Sequence, residues 1–150
     1  LARRMAILNY RSPSELNDRF ERTWQSGVSP LGGGGRWAVE SYLDFHSNKF
    51  TRRFDANSYI TLVEAMNSHD VGRGRESLAG ALGSITAKSI VVGISSDRLF
   101  PIEDQKLIAD NIGGEVIGGG LQVIESEFGH DGFLIEDIKL APMIKALLDS

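Results

Sequence analysis

Hydrophobic residues recur every three or four positions through the first half of the chain, which is the spacing of amphipathic helices. A first helical segment leads to Ser12 and Pro13, a typical helix start with an N-cap followed by proline at the first helical position. We expect this second helix to extend to Trp24 and to be followed by a flexible glycine-rich loop over residues 27–36. Two further helices are predicted, over residues 37–50 and 57–67. The pattern therefore indicates a helical region over residues 1–85.

The pattern changes in the second half, where short continuous runs of β-branched residues begin. Residues 90–94 are typical of a strand that is buried on both faces of a parallel sheet. A helix over residues 101–112 follows, and a second strand is predicted at residues 121–125. A last helix is predicted at about residues 141–148, with a proline in its first turn. The order strand, helix, strand indicates an α/β fold for residues 86–150.

Two strands cannot form a stable open sheet by themselves, so further strands are needed. We expect them to come from a segment outside these 150 residues. The chain begins with Leu1 rather than methionine, and its first ten residues already have helical spacing. We therefore expect the chain to be part of a longer protein.

Composition narrows the classes of function. With 41% hydrophobic and 24% charged residues, the chain is typical of a globular protein. Its net charge of −4 argues against nucleic-acid or membrane-surface partners, and no apolar run approaches the roughly 20 residues of a membrane span. The absence of cysteine excludes disulfides and thiolate metal sites, and it fits a cytoplasmic location. We expect no bound metal.

Candidate catalytic side chains follow the two predicted strands. Asp97 lies three residues after the first strand and His130 five residues after the second, so the end of the sheet should bring them together. A carboxylate that accepts from one imidazole nitrogen leaves the other nitrogen to act as general base for a hydroxyl nucleophile. The acid precedes the histidine, as in α/β-hydrolases, but no Gly-x-Ser-x-Gly elbow occurs in the chain. We therefore expect the nucleophilic serine outside it.

Asp97 and the histidines also have interpretations that involve no catalysis. Asp97 could cap the following helix, and His130 could be a polar turn residue between glycines. His46 lies on an apolar helix face, which favours a packing role. His69 stands between a serine and an aspartate, but side chains adjacent in sequence do not converge in the geometry of a catalytic triad.

Five stretches resemble homoserine O-acetyltransferases, and the resemblance extends over nearly the whole chain. They are residues 38–43 (AVESYL), 53–59 (RFDANSY), 69–73 (HDVGR), 95–101 (SSDRLFP) and 129–134 (GHDGFL). The resemblance implies the C-terminal part of an α/β-hydrolase fold, with a helical lid over residues 1–85. Residues 86–150 would then be the last two parallel strands of the core and their helices.

The resemblance also implies an activity. Acetyl-CoA would be a co-substrate rather than a bound cofactor, and its acetyl group would pass through an acetyl-serine to the hydroxyl of L-homoserine, early in methionine biosynthesis. The missing N-terminal half would hold the serine, the lid helices would form a homodimer, and this chain would be inactive alone.

Site residues follow from the same resemblance. Asp97 and His130 would be the triad acid and base, and Asp131 would bind the homoserine ammonium group. Arg3 and Tyr10, two helical turns apart, would contact the carboxylate end of the substrate and line its tunnel. The helical pattern alone would favour a solvated charge for Arg3 and a packing role for Tyr10.

The sequence is also compatible with other functions. Related acyltransferases use another donor or acceptor, as serine or homoserine O-succinyltransferases and the deacetylcephalosporin acetyltransferase do. A plain esterase of the same fold is a second alternative, although Arg3 and Asp131 argue against it. A non-catalytic truncated paralogue is a third, although drift would not preferentially spare Asp97 and His130.

Overall fold

The computed structural model describes residues 1–150 and divides them into two compact units, Leu1–Ser68 and His69–Ser150. The resemblance implies a helical lid over residues 1–85 and a hydrolase core over residues 86–150. These two roles stay predictions. None of the helices has the length and apolar composition that crossing a membrane requires.

The first unit consists of four helices and a short hairpin. The helices are α1 (Ala2–Tyr10), α2 (Pro13–Phe20), α3 (Ala38–Arg53) and α4 (Ala56–Asn67), and the hairpin pairs β1 (Trp24–Gln25) with β2 (Arg36–Trp37) antiparallel. The predicted start of α2 is confirmed, because the Ser12 hydroxyl accepts a hydrogen bond from the amide of Glu15 at 3.1 Å. Ser12 is only 3% exposed, so this cap is well shielded from water.

The predicted extension of α2 to Trp24 is wrong. The helix ends at Phe20, and Glu21 adopts a φ of 42° that turns the chain out of the helix. Trp24 then pairs across the hairpin with Trp37, with their ring centroids 6.3 Å apart. A cross-strand aromatic pair of this kind stabilises a hairpin, and helical spacing along the sequence does not detect it.

The second unit is built around a strand–helix–strand motif. Its elements are α5 (Leu78–Gly83), β3 (Val92–Ile94), α6 (Ile102–Asn111), β4 (Gln122–Ile124), a 3₁₀ turn (Gly129–Asp131), α7 (Gly132–Ile135) and α8 (Asp137–Leu148). β3 and β4 are parallel, which confirms the predicted α/β order. Val91, Ile94, Ala109 and Ile124 are buried in this unit, and α6 packs on β3.

The last helix begins four residues earlier than predicted. α8 starts at Asp137, and Pro142 lies inside it rather than in its first turn. The first turn closes because the amide of Leu140 donates to the carbonyl of Glu136 at 2.9 Å. Pro142 has no amide to donate to the carbonyl four residues earlier, but the hydrogen bond between Leu140 and Glu136 does not depend on that amide.

A glycine in α7 allows the chain after β4 to pack directly on β3. A Cβ added at Gly132 would lie 2.8 Å from Cγ2 of Ile94 and 3.1 Å from Oγ of Ser126. Both distances are shorter than ordinary van der Waals contacts. The packing of α7 against the end of β3 therefore requires glycine here.

Replacing Gly132 with alanine is expected to destabilise the second unit by about 1–3 kcal/mol, the usual cost of overpacking a close contact. Urea unfolding of a full-length protein that contains this segment measures this. Gly27→Ala is the control, because a Cβ there meets nothing within 4 Å. Identical unfolding midpoints for the two variants would contradict the close packing of Gly132.

Candidate active site

The candidate site lies where β3 and β4 end. The two strands end level with each other, because Ile94 and Ile124 are paired in the parallel register. The amide of Ser95 donates to the carbonyl of Ile124 at 3.0 Å, just past the end of β3. The loops that contain Asp97 and His130 therefore leave the sheet at the same edge, where parallel folds place their functional groups.

Asp97 and His130 form a hydrogen-bonded pair. Nδ1 of His130 lies 2.9 Å from Oδ2 of Asp97, and the two side chains are 19% and 7% exposed respectively. The other carboxylate oxygen, Oδ1, accepts from the amides of Leu99 at 2.8 Å and Phe100 at 3.0 Å. Both oxygens of Asp97 are thus held as acceptors, which favours the imidazole tautomer with its proton on Nδ1.

Two phenylalanines flank the imidazole. The ring centroids of Phe100 and Phe133 lie 5.0 Å and 5.6 Å from that of His130, at steep interplanar angles of 73° and 64°. Edge-to-face contacts of this kind are favourable, and two of them restrict rotation of the imidazole. The pair and the phenylalanines line a cavity of about 350 Å³, together with Val92, Gly93, Ile94 and Gln105. The cavity gives the imidazole a largely apolar neighbourhood.

Two serines connect the loop that contains Asp97 to the loop that contains His130. The Ser96 hydroxyl accepts from the amide of Gly129 at 2.9 Å, and the Ser95 hydroxyl accepts from the amide of Ser126 at 3.1 Å. Sequence reasoning did not find these contacts. The sequence carries no signal for them, because the bond between Ser96 and Gly129 depends on a side-chain rotamer and on the positive φ of Gly129.

The other predicted site residues are distributed over both units. Asp131 is half-buried and follows His130 in the 3₁₀ turn. Arg3 and Tyr10 belong to the first unit, where the Arg3 guanidinium lies 5.4 Å from the centroid of the Tyr10 ring and 4.6 Å from that of Phe50. Nε of Arg3 is buried without a hydrogen-bond partner. The substrate-binding roles of Arg3, Tyr10 and Asp131 stay predictions.

His46 has the environment of a packing residue. Its ring centroid lies 4.5 Å from that of Tyr42 and 5.2 Å from that of Phe45. Burial lowers the pKa of His46 below its ordinary value, and the positive charges of Lys49 and Arg19 add to the effect. No carboxylate hydrogen bond orients this imidazole in the way that Asp97 orients His130. The structure also groups no three His, Asp or Glu side chains in a way that could hold a metal ion.

Comparison with known proteins adds independent information on sequence and fold. No family model matches the chain. It is 63% identical over 150 residues to the homoserine O-acetyltransferase of Clavibacter michiganensis subsp. michiganensis, covering 100% of this chain and 39% of that protein. It is 65% identical over 147 residues to the enzyme of the same name from Leifsonia xyli subsp. xyli, covering 98% and 37%. The chain thus spans about two fifths of the length of the curated relatives it matches.

The fold comparison agrees with the sequence comparison. The crystal structure of homoserine O-acetyltransferase from Bacillus anthracis superposes with a TM-score of 0.82 at 20% identity, covering 99% of this chain and 40% of the other. The chain therefore has the fold of the C-terminal part of an α/β-hydrolase, as the sequence predicted. Within that class, it matches the C-terminal part of the homoserine O-acetyltransferases.

Replacing Asp97 with asparagine is expected to change the tautomer of His130. Oδ1 of asparagine can still accept from the amides of Leu99 and Phe100, so the amide NH₂ then faces Nδ1 and donates to it. The imidazole proton should move to Nε2, which ¹⁵N chemical shifts of histidine-labelled protein at about pH 8.5 distinguish from the native tautomer.

The matched control for this experiment is Asp110→Asn, which removes an exposed carboxylate that pairs with Lys106 at 2.6 Å. The tautomer of His130 should not change in that variant. A native ¹⁵N pattern in Asp97→Asn would show that the carboxylate does not determine which nitrogen of His130 is protonated.

Proposed function

We propose that this chain is the C-terminal part of an O-acyltransferase that moves an acetyl group from acetyl-CoA to the hydroxyl of L-homoserine. The proposal rests above all on one observation, the 2.9 Å pair of Asp97 and His130 at the end of two parallel strands. The identity of 63% to a protein named homoserine O-acetyltransferase supports the choice of acyl group and acceptor.

In the first half of the proposed reaction, a serine outside this chain attacks the thioester carbonyl of acetyl-CoA. Nε2 of His130 takes the proton of the serine hydroxyl as the oxygen–carbon bond forms. Asp97 stabilises the imidazolium through the hydrogen bond from Nδ1. The carbon–sulfur bond then breaks, and the imidazolium returns the proton to the departing thiolate. An acetyl-serine and free coenzyme A result.

In the second half, the hydroxyl of homoserine attacks the acetyl-serine. His130 takes the proton of this hydroxyl and returns it to the serine oxygen as the ester breaks, which yields O-acetylhomoserine and the original enzyme. Asp131 would hold the ammonium group of homoserine close to His130, because it is the next residue in the chain. Arg3 and Tyr10 would contact the carboxylate end, where a guanidinium suits the charge.

The proposal assigns this chain only part of the catalytic machinery. The nucleophile and the donors that stabilise the tetrahedral intermediate would come from the remaining three fifths of a protein as long as the relatives. The 150 residues alone are therefore expected to be inactive. A homodimer formed through the lid helices and a cytoplasmic location belong to the same proposal, and both are inferred from the resemblance.

The test is acyl transfer by a full-length protein that contains this segment. Acetyl-CoA and L-homoserine should give O-acetylhomoserine, whereas succinyl-CoA as donor and L-serine as acceptor should be used poorly. His130→Ala should lower kcat by about 10³-fold or more, as removal of a triad base usually does. His69→Ala is the control, because this histidine is exposed and should not affect turnover.

Three results would overturn the proposal. Unchanged turnover in His130→Ala would refute the assigned base. Efficient transfer of succinyl groups, or hydrolysis of simple esters without transfer to homoserine, would instead identify one of the alternative activities.

A further inference from the structure

Serine hydroxyls continue the hydrogen bonding between β3 and β4 beyond the last backbone contact. After the bond from the Ser95 amide to the Ile124 carbonyl, the amide of Ser126 donates to the Ser95 hydroxyl at 3.1 Å. The amide of Gly129 then donates to the Ser96 hydroxyl at 2.9 Å. The contact between His130 and Asp97 follows at the same chain separation of 33 residues. The loops are thus joined step by step up to the candidate catalytic pair.

The bond between Ser96 and Gly129 lies one residue before Asp97 and His130 in their two loops. Gly129 is buried and has a φ of 63°, a conformation that glycine adopts without strain. This turn aims its amide at Ser96 instead of at a backbone carbonyl. Its own carbonyl accepts from the amide of Gly132, which closes the 3₁₀ turn around His130. The amide and the carbonyl of Gly129 are therefore both hydrogen-bonded. Only the bond of the amide comes from the loop that contains Asp97.

We propose that Ser96 is a positioning residue for His130, a role whose catalytic meaning rests on the proposed function. Its hydroxyl fixes the backbone of Gly129 relative to Asp97, and this sets the distance over which Nδ1 of His130 reaches Oδ2. Without the hydroxyl, the amide of Gly129 is left buried and unpaired, so the turn shifts to find another acceptor. A shift of about 1 Å is enough to weaken a hydrogen bond and to misplace a catalytic base.

The experiment measures the pairing of His130 directly in a full-length protein that contains this segment. ¹⁵N-histidine labelling and the Nδ1-bound proton report whether the imidazole is bonded to Asp97, and circular dichroism reports folding. Ser96→Ala is expected to raise the unpaired fraction of His130 roughly fivefold, the effect of losing one ordinary hydrogen bond. Ser96→Thr keeps the hydroxyl and should restore the native signals.

Two further variants control for general effects on stability. Ser95→Ala removes the neighbouring hydroxyl, whose partner Ser126 is four residues from His130, so it should have a smaller effect than Ser96→Ala. Ser84→Ala removes a hydroxyl that bonds within its own helix end, to Ala81 at 2.7 Å, and should leave His130 unchanged. If Ser96→Ala does not fold, Ser96→Cys serves in its place, because a thiol has similar size but accepts hydrogen bonds weakly.

Native His130 signals in folded Ser96→Ala or Ser96→Cys would overturn the proposal, as would equal effects of Ser96→Ala and Ser84→Ala. The measurement needs no acyl transfer, so it separates the two hypotheses. An active transferase whose His130 signals do not respond to Ser96 would refute only the positioning role. A protein without transferase activity whose His130 signals do respond would refute only the proposed function.

Discussion

The parallel register of β3 and β4 is the constraint on which the candidate site depends. Because Ile94 is paired with Ile124, the chain leaves both strands at the same level and on the same edge. Asp97 needs only three further residues to reach this edge, and His130 returns to it through a short turn. A shift of the register by one residue would move every side chain of one strand to its other face. Strand pairing thus brings Asp97 and His130 to the same edge of the sheet, and the short loops after the strands complete the approach.

Local hydrogen bonds convert this rough placement into defined geometry. The amides of Leu99 and Phe100 fix one oxygen of Asp97, so the other is directed to His130. Close packing of Gly132 on Ile94 fixes the chain on the far side of the histidine. These contacts lie within the second unit, although the chain spans only about two fifths of the length of its relatives. Asp97 and His130 are therefore oriented by contacts within this unit.

The sequence predicted the features that depend on local pattern. The first strand was recognisable from its run of β-branched residues, and the N-cap at Ser12 from its position before Pro13. The end of α2 was not predictable in this way, because Trp24 leaves the helical stripe to pair with Trp37, which lies 13 positions further along the chain. Pairing between distant residues of this kind competes with helical propensity and is invisible to periodicity.

The candidate site shows the same limit. The proximity of Asp97 and His130 was predictable from chain order and strand ends, since topology alone brings them together. The hydroxyl contact of Ser96 with Gly129 was not, because it depends on a side-chain rotamer and on the positive φ of one glycine. Roles in substrate binding for Arg3, Tyr10 and Asp131 follow from family resemblance and not from physical pattern.

In the proposed function, this chain supplies an acid and a base to a nucleophile that it does not contain. The most direct measurement is peptide mapping by mass spectrometry of a full-length protein that contains the segment, quenched after mixing with acetyl-CoA in the absence of acceptor. One acetyl group is expected on a serine outside residues 1–150, released when homoserine is added. Acetylation of Ser95, Ser96 or another serine within these residues as the competent intermediate would contradict it.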